Sequence, residues 1–275
     1  MWLIDTSTLK LVFHPTEPLN GYMILSHTWE DGEVTFQDLQ NVEFARTKKG
    51  FSKIEETCRL AREATLEWAW VDTCCIDKTS SAELSEAINS MYRWYQRAAT
   101  CCAYLSDLPP LDYIHLPNCR WFTRGWTLQE LLAPSKITFY DNKWNLRVSK
   151  QSLRDPISAI TGIDVLALTG SRSLEDYPIA VRMAWCSKRQ TARPEDLAYC
   201  LLGIFGVYMP MLYGEGANAF LRLQEEICKN IDDLSIFAWK RQYEADIPSR
   251  NSGFFADSPR DFSACHLDSE SLTTS

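Results

Sequence analysis

Short apolar runs alternate with amphipathic stretches along the first half of the chain. Tyr22-Met-Ile-Leu-Ser26 is a continuous apolar run ending in a polar residue, which predicts a buried strand, and His27 to Thr35 follows as a loop. Phe51, Ile54, Cys58, Ala61, Thr65 and Trp68 recur at helical spacing, and Glu55 three residues after Ser52 reads as a capping box. Trp68-Ala-Trp-Val-Asp72 predicts a second strand that overlaps the end of this helix. Ser80-Ser-Ala-Glu83 is another capping box, and behind it Leu84, Ile88, Met91, Tyr92 and Tyr95 form one apolar face. Ala103-Tyr-Leu-Ser-Asp107 predicts a third strand, followed by a helix ending before Pro134 and a strand over 136–141.

Strands alternating with amphipathic helices imply an α/β fold, an open parallel sheet flanked by helices with right-handed crossovers. The strand ends at Ser26, Asp72 and Asp107 then line one edge, where open α/β sheets bind ligands. From about 150 the pattern becomes helical. Asp155-Pro156 reads as an N-cap with Pro in the first turn, Ile179 to Trp185 is helical, and Pro194-Glu-Asp starts a helix towards Phe205. Ala217, Phe220, Leu221, Ile227 and Ile231 mark a last helix. The organisation read is one unit over 1–240, with an α/β core at about 20–145 and a C-terminal α-helical extension at about 150–235. Beyond Lys240 the chain is polar and Ser-rich, so 241–275 reads as a linker or the start of a truncated downstream region.

Composition narrows the function classes. An apolar fraction of 45% over 275 residues supports a sizeable core. The net charge of −8, with no Lys/Arg cluster, argues against nucleic acid as a partner. Leu197 to Gly214 carries no charge, but Gly203, Gly206 and Pro210 fit a buried helix and turn, so no membrane span is expected. The start Met1-Trp-Leu-Ile-Asp-Thr6 lacks a basic region before a long apolar stretch, so a signal peptide is not expected. The ten cysteines then read as reduced thiols of a cytoplasmic protein. Cys74-Cys75 and Cys101-Cys102 lack zinc-site spacing and the four histidines are scattered, so no metal is expected.

The densest chemistry lies in Cys119 to Pro134, where Trp121, Trp126, Arg120 and Arg124 surround the single carboxylate Glu130 at a strand-to-helix connection. Trp126 or Trp29 can stack on an aromatic ligand, and Arg124 can meet a pyrophosphate bidentately. Each residue also has a structural reading. Thr127-Leu-Gln-Glu130 is itself a capping-box pattern, Trp121 and Trp126 suit a core, and Arg124 can pair with Asp107. Asp72 and Asp77 can cap strand ends, and Ser26 can close a turn. A thiol–imidazole pair of Cys74 or Cys75 with His27 is a weaker candidate. Met209 to Gly216 lacks the Gly-Lys-Ser/Thr of a phosphate loop.

Several motifs taken together resemble one family. They are Leu25-Ser-His-Thr-Trp29, Trp70-Val-Asp-Thr-Cys-Cys-Ile-Asp77, Ile88-Asn-Ser-Met-Tyr92 with Ala103-Tyr-Leu-Ser106, and Arg124-Gly-Trp-Thr-Leu-Gln-Glu130. Glu195 to Phe205 and Met209 to Gly216 complete the set. The chain resembles the fungal heterokaryon incompatibility (HET) domain over roughly 22–240, departing at His27, where many members have Tyr. That resemblance implies an effector of fungal non-self recognition that triggers programmed cell death. It also implies regulatory partners of the NACHT, WD40 or ankyrin type.

A second similarity is to TIR domains. It rests on the turn Leu25-Ser-His-Thr-Trp-Glu-Asp31 and the helix Gly125-Trp-Thr-Leu-Gln-Glu130-Leu131. It implies a TIR-like (flavodoxin-like) sheet, activation by self-association, and cleavage of NAD as a substrate, with no resident cofactor. Glu130 is then the catalytic residue, and Ser26, Trp29, Asp72, Arg124 and Trp126 are the substrate-binding set. Such cleavage needs little machinery, because nicotinamide leaves neutral from a cationic ring through an oxocarbenium-like transition state that one buried carboxylate can stabilise. The alternative expectation is a non-enzymatic signalling module whose tryptophan-rich surfaces bind partner domains homotypically.

Overall fold

A computed structural model of the chain describes residues 1–110, 114–145, 148–241 and 253–266. Seven strands form one sheet: β1 (Trp2–Asp5), β2 (Leu11–Phe13), β3 (Met23–His27), β4 (Trp68–Trp70), β5 (Thr100–Tyr104), β6 (Ile137–Tyr140) and β7 (Val148–Ser149). Their order across the sheet is β2-β1-β4-β3-β5-β6-β7. The inner strands β4, β3, β5 and β6 are parallel to one another, as the alternating pattern predicts. The flanks are antiparallel, β1 and β2 beyond β4 and β7 beyond β6, so the sheet is mixed rather than purely parallel. Every residue of β3 is buried, as a strand covered on both faces requires.

The third predicted strand is displaced. It runs over Thr100–Tyr104 rather than 103–107, because Cys101 and Cys102 act as small apolar residues. Cys101 pairs in register with Ile24 on one side and Ile137 on the other. Asp107 consequently lies beyond the strand and accepts the Arg120 backbone N–H at 2.8 Å.

The long helices Phe51–Glu63 and Ser81–Arg97 pack apolar faces on the sheet. The first begins at Gly50 with no side-chain cap. Ser52 donates to the Lys49 carbonyl and Glu55 pairs with Arg46, so the expected capping box is not made. In the second, Ser80 accepts the Glu83 N–H, while the Glu83 carboxylate turns to the Asp77 N–H. Trp94 and Tyr95 meet Trp70 edge-on at 5.6 and 5.9 Å, and the Tyr95 hydroxyl donates to the Leu25 carbonyl at 2.8 Å.

Beyond β7 the described chain is helical apart from loops, with no further strand. The helix Arg154–Thr161 starts after Leu153, so Asp155 lies inside it and is not the N-cap. The uncharged stretch from Leu197 divides into Asp196–Tyr199 and Leu202–Phe205, ending at Gly206 in the left-handed region (φ 66°). Among the described residues no helix is long and apolar enough to cross a membrane. Gly203 lets this part close on the Ser81–Arg97 helix, since a Cβ there would lie 2.0 Å from Tyr92 Cβ.

Part of the stretch read as a linker returns to the body. Phe262 and Ala256 are fully buried, and the Gln224 side chain bonds both backbone groups of Ala256 at 3.0 and 2.9 Å. The rest of 241–275, residues 242–252 and 267–275, lies outside the described residues.

Candidate functional site

The helix Thr127–Leu132 carries Glu130 and buries all of its residues. Its N-cap is Trp126, and no side chain caps it. Thr127 Oγ1 donates to the Trp121 carbonyl at 2.5 Å and accepts from Arg189 Nη1 at 2.9 Å, so Thr127 and Glu130 do not form the capping box their spacing allows. Glu130 instead turns towards the sheet and accepts from Ser26 Oγ at 2.5 Å. Ser26 in turn accepts from Trp121 Nε1 at 2.8 Å. Trp121 is fully buried and packs edge-on against Phe122 and Phe139. Burial raises the Glu130 carboxyl to about 8, and the nearby Asp72 charge adds to this against opposing hydrogen bonds from Ser26 and Tyr95 and the Arg124 charge. The group is therefore mostly protonated at neutral pH.

Glu130 opens onto a cavity of about 310 Å³ at the carboxyl ends of β3 and β4. Its polar lining includes Trp29, Asp72, Lys78, Arg124 and Trp126, and Ile76, Leu84, Ile88 and Met91 supply apolar lining. The far wall comes from the helical extension through Arg193, Asp196 and Tyr213.

A polar chain fixes one side of this cavity. Trp29 Nε1 donates to Asp72 Oδ2 at 2.7 Å, and Asp72 Oδ1 lies 3.0 Å from His27 Nε2. His27 Nδ1 lies 3.1 Å from Lys53 Nζ, which also donates to Glu33 and, at 3.2 Å, to the Thr28 carbonyl. An ammonium only donates, so Nδ1 accepts and the ring proton on Nε2 is directed at Asp72. Burial by itself raises the Asp72 carboxyl, but His27, Lys78 and Trp29 together outweigh it and hold it below the usual range. Lys78 Nζ sits 3.8 Å from the Trp29 ring centroid and occupies one face of that indole.

The opposite side is held by backbone. Gly125 N–H donates to the Gln190 carbonyl at 2.8 Å, and Arg189 Nη1 donates to the Arg124 carbonyl at 2.8 Å. A Cβ on Gly125 would lie 2.5 Å from Thr191 Cγ2, so glycine permits this approach. The Arg124 side chain is half-buried and has no hydrogen-bond or ion-pair partner among the described residues. Asp107 is taken by Arg120 instead. Asp196 accepts from Tyr213 at 2.9 Å, and Arg193 lies 4.5 Å over the Tyr213 ring.

Of the residues expected at the site, Trp29, Asp72, Arg124, Trp126 and Glu130 line this one cavity. Ser26 does not. It is fully buried behind Glu130, so it acts on the carboxyl and does not reach a ligand directly. The thiol–imidazole pair is not formed either, since both His27 nitrogens are engaged and Cys74 points at the Val71 carbonyl. Among the described residues no cluster of His, Cys, Asp or Glu has the makings of a metal site. The sequence reading missed the Lys53–His27 arm and the wall of Arg193, Asp196 and Tyr213. The wall residues flank or fall within two of the quoted motifs, but nothing in those motifs shows that they face Glu130.

These features define an α/β protein with a buried carboxyl at the carboxyl edge of its sheet, enclosed by a helical extension. Residues 22–113 match the family described as heterokaryon incompatibility protein (HET), so the chain carries a HET domain over that segment. Residues 218–272 match a domain of unknown function, DUF8212. The vegetative incompatibility protein HET-E-1 of Podospora anserina is 44% identical over 228 residues, covering 78% of this chain and 17% of that protein. The chain thus spans only a small part of the length of that relative. No solved structure matches the chain.

Proposed function

We propose that this chain is an effector domain of fungal heterokaryon incompatibility that cleaves NAD at the nicotinamide–ribose bond, with Glu130 as the catalytic carboxylate. The observation that carries the reading is the Glu130 carboxyl opening onto a cavity that also holds two indoles and an arginine with no protein partner. The strand order supports it. Numbered from β3, the parallel strands run second, first, third, fourth, the TIR-like and flavodoxin-like order, and the cavity lies at their carboxyl edge, where open α/β sheets bind ligands. The cavity is at the small end of ligand sites, so it takes the nicotinamide–ribose half, with the rest of the dinucleotide at the mouth near Arg124.

In the reaction, the bond between ribose C1′ and the pyridinium nitrogen breaks and its electron pair returns to nicotinamide. Water attacks C1′ and loses a proton, giving ADP-ribose, nicotinamide and H⁺. The cationic pyridinium favours the ionised form of Glu130, and the carboxylate then offsets the charge on the sugar. Ser26 and Trp121 hold the carboxyl in place, and Trp29 offers the face that Lys78 leaves uncovered. By analogy with the family, the reaction triggers cell death and is switched on when NACHT, WD40 or ankyrin-type regions bring copies together.

The test is chromatography of nicotinamide released from NAD by concentrated protein, wild type beside Glu130→Gln. The expected loss is at least about 100-fold, the scale of removing one key electrostatic group from a site. Equal release by both proteins removes Glu130 from the chemistry. A homotypic signalling module is the second reading, favoured by the edge strand β2, which exposes Val12 and Phe13. Under that reading Glu130→Gln retains cell killing while Phe13→Lys abolishes it.

A further inference from the structure

A second cavity, of about 820 Å³, lies between the helix carrying Glu130 and the extension. Its charged lining is Lys150, Arg172, Arg182 and Glu175, so cations outnumber acids there in a chain whose net charge is −8. Glu175 is exposed, whereas Lys150 and Arg182 are 6% and 2% exposed. None of the three cations has a carboxylate within ion-pairing distance among the described residues.

Buried cations are ordinarily paired, because stripping water from an isolated charge is costly. Here the protein offers only partial compensation. Lys150 Nζ donates to the Leu131 and Pro134 carbonyls at 3.0 and 2.8 Å. Arg182 Nη1 donates to the Ile204 carbonyl at 3.2 Å and its guanidinium lies 4.7 Å from the Phe205 ring centroid, but its buried Nε–H has no partner. Arg172 rests 4.4 Å over the Tyr177 ring and donates to the Asp176 carbonyl at 2.7 Å. Capping carbonyls explains part of each side chain. Asp233 and Glu175 act on Arg182 only from beyond ion-pairing distance, so capping does not explain why three cations without an ion-pair partner line one roomy cavity. Burial lowers the Lys150 ammonium to about 8, in keeping with a desolvated cation that lacks a carboxylate neighbour.

We propose that this cavity is an anion site for a small molecule bearing a di- or triphosphate, held by Lys150, Arg172 and Arg182 and separate from the Glu130 site. Guanidinium groups match phosphate oxygens in pairs, and a polyanion supplies the direct counter-charge that no carboxylate within ion-pairing distance provides. The cavity volume admits a nucleotide-sized ligand. Lys150 holds the turn after the Glu130 helix through the Leu131 and Pro134 carbonyls, so an occupant bears on the first site through a structural link.

The experiment is calorimetric titration of the full chain with inorganic tripolyphosphate, with sulfate at matched ionic strength as control. Saturable binding near one per chain is expected, at least tenfold tighter than sulfate. Arg172→Ala, at the half-buried rim, and Lys150→Met should each weaken binding at least tenfold with unchanged circular dichroism, while Arg124→Ala leaves it intact. Absence of saturable binding to the wild type, affinity no better than sulfate, or binding that survives Arg172→Ala and Lys150→Met but is lost in Arg124→Ala would each overturn the proposal. If Lys150→Met fails to fold, Arg172→Ala and Arg172→Glu decide alone.

Discussion

Glu130→Gln should make the protein more stable, and by an amount that grows with pH. The carboxyl is raised by burial from an ordinary 4.5 to about 8. Folded protein therefore keeps a proton that the unfolded chain releases, and stability falls as pH rises from about 4.5 towards about 8. At about 1.4 kcal/mol per unit, the shift costs about 1 kcal/mol at pH 5, about 3 at pH 7 and up to about 5 above pH 8. Glutamine keeps the shape of the side chain and carries no ionisable group, so this cost disappears. Any change in the hydrogen bond from Ser26 is the same at every pH and cancels when two pH values are compared. Urea unfolding followed by tryptophan fluorescence at pH 5 and pH 7 measures the gap between variant and wild type. The gap should widen by about 2–3 kcal/mol between the two, with equal m-values. A gap that stays constant within about 0.5 kcal/mol would falsify the reasoning. It would mean that Glu130 is ionised in the folded protein at pH 5.

Ser26→Ala leaves Trp121 Nε1 without its acceptor and removes one donor from Glu130, so it should cost about 1–3 kcal/mol by urea unfolding. The pH midpoint of the proposed NAD cleavage should also move to higher pH, because the lost bond favoured the ionised carboxyl. Asp72→Asn removes a negative charge that raises Glu130, and the same midpoint should fall below about 8; an unmoved midpoint assigns the ionisation to another group. Gly203→Ala forces a methyl to within 2.0 Å of Tyr92 Cβ and should destabilise by about 1–3 kcal/mol, read as a lower urea midpoint.

The parallel strands were legible because burial on both faces leaves long apolar runs, as in Tyr22 to Leu25. The edge strands were not. Val12 and Phe13 are exposed, and β1 and β2 have only four and three residues. β5 was misplaced because a thiol pair reads as neither polar nor strand-forming until its packing is known. Capping patterns were the least secure guide. Ser80 caps its helix, whereas Glu55 pairs with Arg46 and Glu130 bonds across the fold to Ser26, a partner 104 residues away. A spacing rule sees only the neighbours of a side chain, and each of these carboxylates found its partner elsewhere. Glu130 could nonetheless be singled out as a candidate, because its position after an inner strand is a property of topology. Arg193, Asp196 and Tyr213 reach the cavity through tertiary contacts such as Gly125 to Gln190, for which the only local signal is the glycine itself.

The family match ends at residue 113, yet the site does not. His27, Trp29, Asp72 and Lys78 fall inside the matched segment; Arg124, Trp126, Glu130, Arg193, Asp196 and Tyr213 fall outside it. The matched segment supplies β3, β4 and β5 and the Lys53–His27–Asp72 chain, but neither the carboxyl at the base of the cavity nor its far wall. Arg189 joins the two parts. It is buried, bonds the Arg124 carbonyl and Thr127 Oγ1, and thereby fixes the start of the helix that aims Glu130. A bare α/β core would thus have an open sheet edge and a Glu130 helix without the bonds from Arg189 at its start. The helical extension is what turns that edge into an enclosed cavity, so its folding and the enclosure of Glu130 stand or fall together.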